Sequence, residues 1–301
     1  MQLSAELAAI APSFARVAKA IDLRTVAYLE RYARRMEPAL RDAFLAAVRS
    51  AKNNITLETL ENAIRSINPE MAIREATGGL EFSKMRETLA DIVQASGARA
   101  TESLVRMTGA INAANFNMVN PYAVHYARTS VGNLIREITQ TTREGVARVI
   151  THGMEGNIDI REMSRQIKTM VGLTSRQVDW VMNYEGKLLE SGAIDIDDKV
   201  ARYADKVLRQ RSQTIARTES LKSMAEGQRG AWKSMVDQGF LPQDLLIQWN
   251  INQGACKEIC EPMDGEQTEL NGGYFILPDG SRVTTPQEGH PNCGCYLTAV
   301  V

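Results

Sequence analysis

From Leu3 to about Gly239 the apolar positions recur every three or four residues, and after Gly239 they recur every second residue. The longest stripe lies within Leu23 to Ser50, where Val26, Leu29, Ala33, Met36, Leu40, Phe44 and Val48 share one helical face. Pro38 falls inside that stripe and is predicted to kink or split the helix, because its ring removes an amide donor. Asn53, Asn54 and the Asn68-Pro69 pair punctuate two shorter helices. Gly78 and Gly79 open a longer one through Asn117, weakened near Gly97. A further helix runs from Pro121 to about His152 on a stripe of Val124, Ala127, Val131, Leu134, Ile138, Val146 and Ile150. Asp159 with Glu162, and Thr174 with Gln177, have the spacing of capping boxes and predict two helix starts. A last long helix is expected from about Asp198 to Gln238.

The change of period predicts strands. Ile247, Trp249 and Ile251 alternate with Gln248 and Asn250, as in a half-buried strand. Tyr274 to Leu277 and Ser281 to Thr285 flank Asp279-Gly280 and read as a hairpin. Tyr296 to Val301 reads as a terminal strand. The expected fold class is therefore mainly α, an elongated helical region followed by a small zinc-tied α+β domain. The chain divides into an unassigned helical region (1–120), a second helical part (121–239) and a Cys/His-rich β unit (240–301). No fixed repeat is present along the helical part, which argues against a solenoid.

Composition narrows the function classes. With 35 basic and 36 acidic residues in 301, the chain has no global charge for wrapping nucleic acid, so any such contact must be local. Arg31, Arg34, Arg35 and Arg41 cluster on one predicted helix, where a charge run is ordinarily a solvated face. No apolar run approaches the roughly 20 residues that span a bilayer, and Glu6 stands where a signal peptide carries basic residues. A cytoplasmic start with no membrane partner is expected, and in that compartment clustered cysteines point to metal ahead of disulfides.

All four cysteines lie in the last third, as Cys256-Lys-Glu-Ile-Cys260 and His290-Pro-Asn-Cys293-Gly-Cys295. Two close pairs separated by a turn-rich insert suggest one shared centre, most simply tetrahedral Zn²⁺. Cys256, Cys260, Cys293, Cys295 and His290 are five candidates for four positions. Either His290 supports a Cys₄ site from outside, or the imidazole replaces Cys293 or Cys295; the preference here is for Cys₄. So full a set of protein ligands argues against an open catalytic position. A β unit of about 60 residues buries little apolar area, and a metal tie is a common remedy at that size. His125 and His152 have no ligand-spaced neighbours and are expected to serve only packing or surface roles.

One order of motifs runs through the second half: Ile215-Ala216-Arg217-Thr218-Glu219, a helix through Trp232, a Trp-bearing strand, a cysteine pair, the Asp264-Gly265 turn and His290-Pro-Asn-Cys-Gly-Cys295. In this order the chain resembles the Mu F-like minor head proteins of tailed phages, over roughly 130–301. It departs from them in having C-x₃-C where C-x₂-C is usual, and Gly294 where arginine is common. The resemblance implies a virion protein of head morphogenesis, made in the host cytoplasm and held inside the head near the portal. Its implied partners are the portal protein, the major capsid or scaffold protein, and packaged DNA. No enzymatic activity is implied and no catalytic residue is assigned. Only six residues follow Cys295, so no appended toxin domain is expected at that end.

Arg217, Thr218 and Glu219 are neighbours on a predicted helix and diverge by about 100° each, so they cannot form one catalytic cluster. Anchoring of the long helix to the cysteine-rich unit through Arg217 or Glu219 is preferred over a general-base role for Glu219. Two alternatives to a head protein are a zinc-dependent nucleic-acid-binding module and, less favoured, a zinc enzyme or effector. The first is weakened because Lys257 and Arg282 are the only lysine and arginine from Trp249 to Val301.

Overall fold

The computed structural model describes residues 2–66, 68–108, 121–252 and 254–300; side chains are described from Arg24 onward, except at 67, 104, 107–124, 127, 128, 130 and 253. Eight helices precede a small strand region among these residues. The helices are α1 (Gln2–Asn54), α2 (Leu57–Arg65), α3 (Pro69–Thr77), α4 (Ser83–Thr108), α5 (Pro121–Glu155), α6 (Ile160–Met170), α7 (Ser175–Glu190) and α8 (Ile196–Asp237). The strands are β1 (Leu246–Asn250), β2 (Gln267–Glu269), β3 (Phe275–Ile276), β4 (Arg282–Val283) and β5 (Tyr296–Val300). None of the described helices is long and apolar enough to cross a membrane.

The expected helix punctuation is largely present. Thr174 and Gln177 form the reciprocal capping box at the start of α7, and the Asp159 carboxylate accepts the Arg161 amide at the start of α6. Pro38 does not split α1, which is continuous to Asn54. The apolar stripe stays in phase across it, with Leu29 and Ala33 buried before the proline and Leu40 and Phe44 buried after it, so packing outweighs the lost amide bond. Helix α4 likewise passes Gly97 unbroken; the expected extension to Asn117 and the stripe positions Val124 and Ala127 fall outside the described residues or side chains.

The chain forms two compact units from interleaved stretches, one of 39–85 and 130–213, the other of 1–38, 86–129 and 214–301. This division differs in kind from the linear one read from composition, since α1, α4, α5 and α8 each contribute to both units. In the first unit, Leu40, Phe44, Val48, Leu60, Ile167, Leu173 and Leu208 are buried. Arg211, 8% exposed, donates to the Gly172 carbonyl and to Thr141 Oγ1, and its guanidinium lies 5.7 Å from the centre of the Phe44 ring. Gly172 takes φ 91°, and a Cβ there would stand 2.8 Å from Val48, so no larger residue fits.

The second unit carries the strand region. β1 pairs antiparallel with β2 (Ile247 opposite Thr268) and with β5 (Ile247 opposite Ala299), giving the order β2-β1-β5. β3 and β4 form the expected hairpin. Trp232, Met235 and Val236 from the end of α8 enter one core with Ile247, Trp249, Phe275 and Leu297. The Trp249 and Phe275 rings meet edge to face at 5.4 Å. Cys260, Cys293 and Cys295 belong to this same core.

Candidate metal centre

Cys256 and Cys260 stand four apart on one helical turn, in which the Cys256 carbonyl accepts the amides of Cys260 and Glu261. The Cys260 amide also points at Cys256 Sγ, 3.3 Å away, the kind of contact that steadies a thiolate. Cys293 and Cys295 lie just before β5, where the buried Gln287 amide donates to the Cys295 carbonyl at 2.7 Å and to the Cys293 carbonyl at 3.4 Å. Between them a Cβ on Gly294 would come within 2.3 Å of Asn252 Nδ2, so a larger residue there would displace the Asn252 side chain.

These elements bring all five predicted donors together as two overlapping triads, Cys256/Cys260/His290 and Cys260/Cys293/Cys295, within each of which the donor atoms lie within 4.8 Å of one another. Cys260 belongs to both. His290 Nε2 is 3.0 Å from Cys260 Sγ and 3.4 Å from Cys256 Sγ, and Cys260 Sγ is 3.7 Å from Cys293 Sγ. Around one tetrahedral zinc ion, sulfurs would stand roughly 3.7 Å apart, and a sulfur and an imidazole nitrogen roughly 3.5 Å. All four cysteines are free thiols. The cluster can therefore hold a metal ion.

The geometry gives His290 a larger part than the sequence did. Its Nδ1 lies 2.9 Å from the Pro291 carbonyl, which can only accept, so Nδ1 carries the proton and Nε2 presents its lone pair to the sulfurs. Charge is shared unevenly among the thiols. Burial pushes Cys260 up, and donation to Cys295 followed by burial pushes Cys293 up. Cys295 is pulled down, first by the Cys293 thiol and then, against the cost of burial, by Cys260, the Trp249 indole and the Asn252 amide. The Trp249 N–H is fully buried and makes no hydrogen bond of normal geometry, yet it still favours the neighbouring thiolate. Metal uptake must displace the protons held on Cys260 and Cys293, so affinity falls as pH falls.

The Arg-Thr-Glu triplet meets the cysteine-rich segment through its middle member. Thr218 Oγ1 accepts the Asn292 amide at 2.9 Å, inside the His290-to-Cys295 segment. Arg217 is exposed and lines a crevice with Glu37, Asn252 and Gly294. Burial raises the Glu37 carboxyl, and Arg217 partly offsets this. Glu219 is engaged in contacts of its own. Sequence reasoning missed the repeat of Thr218 at Lys222 and Glu226: Lys222 Nζ is 3.5 Å from Glu288, and Thr284 Oγ1 is 3.5 Å from Glu226. These positions are spaced by four and form one polar stripe that docks α8 on the strand region. The spacing itself was the available signal. His125 and His152 are both exposed and lie outside the cluster.

Comparison with known protein families, with curated proteins and with solved structures found no match for this chain.

Proposed function

We propose that this chain is a minor head protein of a tailed phage, portal-associated inside the head, with a structural Zn²⁺ in the strand region of its second unit. The observation that carries the reading is the contact between the separate pieces that define the resemblance. The Thr218 hydroxyl on α8 holds the Asn292 amide, and the Trp-bearing strand β1 packs in one core with both cysteine pairs. Those pieces lie far apart in sequence, so their convergence supports treating them as one module.

Zinc is assigned from the donor set, soft thiolates with a neutral imidazole, which suits a redox-inert tetrahedral ion. Its role is structural on two grounds. Five protein donors compete for four positions, and the strands around them are two to five residues long. The functional consequence is a metal-tied strand region suited to protein contacts during head assembly. Co-expression with the portal protein of the same phage, followed by size-exclusion chromatography, should yield a co-eluting complex. Elution of two separate species under all salt conditions would contradict the proposal.

A further inference from the structure

Five donors are one more than a tetrahedral ion takes, and their arrangement gives the surplus a place. The donor atoms gather as two threes, Cys256, Cys260 and His290 in one and Cys260, Cys293 and Cys295 in the other, with Cys260 common to both. The first triad is the more open. Cys256 and His290 are half-buried, whereas Cys260, Cys293 and Cys295 are each 1% exposed. Any four of the five donors come from both triads, so a four-coordinate ion must draw ligands from one triad toward the other. An ion content with three needs no such movement.

Soft ligands select soft ions, and thiolates with an imidazole suit copper(I), a filled-shell ion that three donors satisfy. His290 Nε2 stands 3.0 Å from Cys260 Sγ and 3.4 Å from Cys256 Sγ, and Cys260 Sγ stands 3.7 Å from Cys293 Sγ. These separations fall within the roughly 4 Å that three bonds of about 2.3 Å set around an ion in their plane. A thiolate sulfur carries lone pairs enough for two ions, so Cys260 can serve both triads at once. Two Cu⁺ ions also bring the same charge as one Zn²⁺. The balance against the thiolates, which matters in a buried site, is therefore unchanged.

We propose that the cluster accepts two copper(I) ions, one in each triad and bridged by the Cys260 thiolate, in place of a single zinc ion. The proposal rests on the reading of the cluster as a metal centre and gives it a second class of ion and a second stoichiometry. All five donors are then used. The half-buried side at Cys256 and His290 is the way in for the ions.

The test uses the full chain under anaerobic conditions. Copper(I) is titrated in competition with bicinchoninate, and a second chromophoric chelator follows the zinc released. Two copper ions bound and one zinc ion released per chain are expected. His290→Gln and Cys295→Ser each break one triad only, so bound copper should fall from two to one in either variant. Tryptophan fluorescence before copper is added checks that each variant is folded, and His290→Gln, at the more open triad, decides alone if Cys295→Ser is not. One zinc but fewer than two copper ions per chain overturns this inference and leaves the zinc reading intact. Two copper ions on a chain that takes no zinc does the reverse, and binding of neither metal overturns both. Two copper ions still held by folded His290→Gln, or none, also overturns the division into triads.

Discussion

Arg211 in the helical unit of 39–85 and 130–213 and Cys260 in the strand region are both buried residues on which several chain segments converge. Arg211 reaches the loop after α6, the side of α5 and the Phe44 ring of α1. Cys260 is shared by two triads of donors that could hold a metal ion. The surroundings differ. Helices of 9 to 53 residues supply apolar faces in the unit of Arg211, so its hydrogen bonds add to a core that already exists. Around Cys260, β2 has three residues and β3 and β4 have two each, and sulfur occupies positions that a larger domain would fill with hydrocarbon. The hydrogen bonds of Arg211 supplement packing in the first case, and the proposed metal would supplement a much smaller core in the second.

The largest effect expected from this difference is at Cys260. Cys260→Ser should abolish metal binding and unfold the strand region while the helices persist, since metal-binding energy on the order of 10 kcal/mol is folding energy in such sites. Trp249 and Trp232 are buried there, so their fluorescence should shift to the red while helical circular dichroism is largely retained. Arg211→Met should cost less, about 2–4 kcal/mol in urea unfolding, because it leaves the buried Gly172 carbonyl and Thr141 hydroxyl without their donor. Adding a chelator should not change that second value. Thr218→Val should cost about 1 kcal/mol and weaken metal binding several-fold, since it frees the Asn292 amide beside the ligands. Its check is a competition titration with a chromophoric chelator.

The smallest effect is one of pH. Burial raises the Glu226 carboxyl, with Arg229 and Lys222 opposing and Glu288 adding to the rise. Folding therefore favours the protonated form, and this contribution is complete below the ordinary carboxylate range and lost as pH rises through the folded value. Glu226→Gln should raise Tm at neutral pH and leave it unchanged near pH 4. A rise of equal size at both values would show that charge is not the cause.

Much of this contrast was legible in the sequence. The three-to-four stripe located the helices, the switch to alternation located β1, β5 and the hairpin, and the spacing of Cys256, Cys260, His290, Cys293 and Cys295 identified the cluster. β2 was not legible, because Gln267-Thr-Glu269 is polar on both faces and is a strand only through its pairing with β1. Pro38 misled because a local rule was outweighed by burial on both of its sides. Arg217 and Glu219 drew attention as charges, yet the bond to the cysteine-rich segment uses the neutral Thr218; which helix face meets a loop is a tertiary fact. The arginines picked out on α1 form the solvated face that a charge run ordinarily makes, with Arg31, Arg34 and Arg35 exposed. Arg34 pairs with Glu30 and Arg41 with Asp42.

The central claim is that four of the five clustered donors close around one metal ion. Elemental analysis of the full chain purified without chelator, combined with X-ray absorption at the metal edge, tests it most directly. One zinc per chain is expected, with four protein ligands, at least three of them sulfur at about 2.3 Å. Folded protein without stoichiometric metal, or a zinc ion with a water in its coordination sphere, would contradict it.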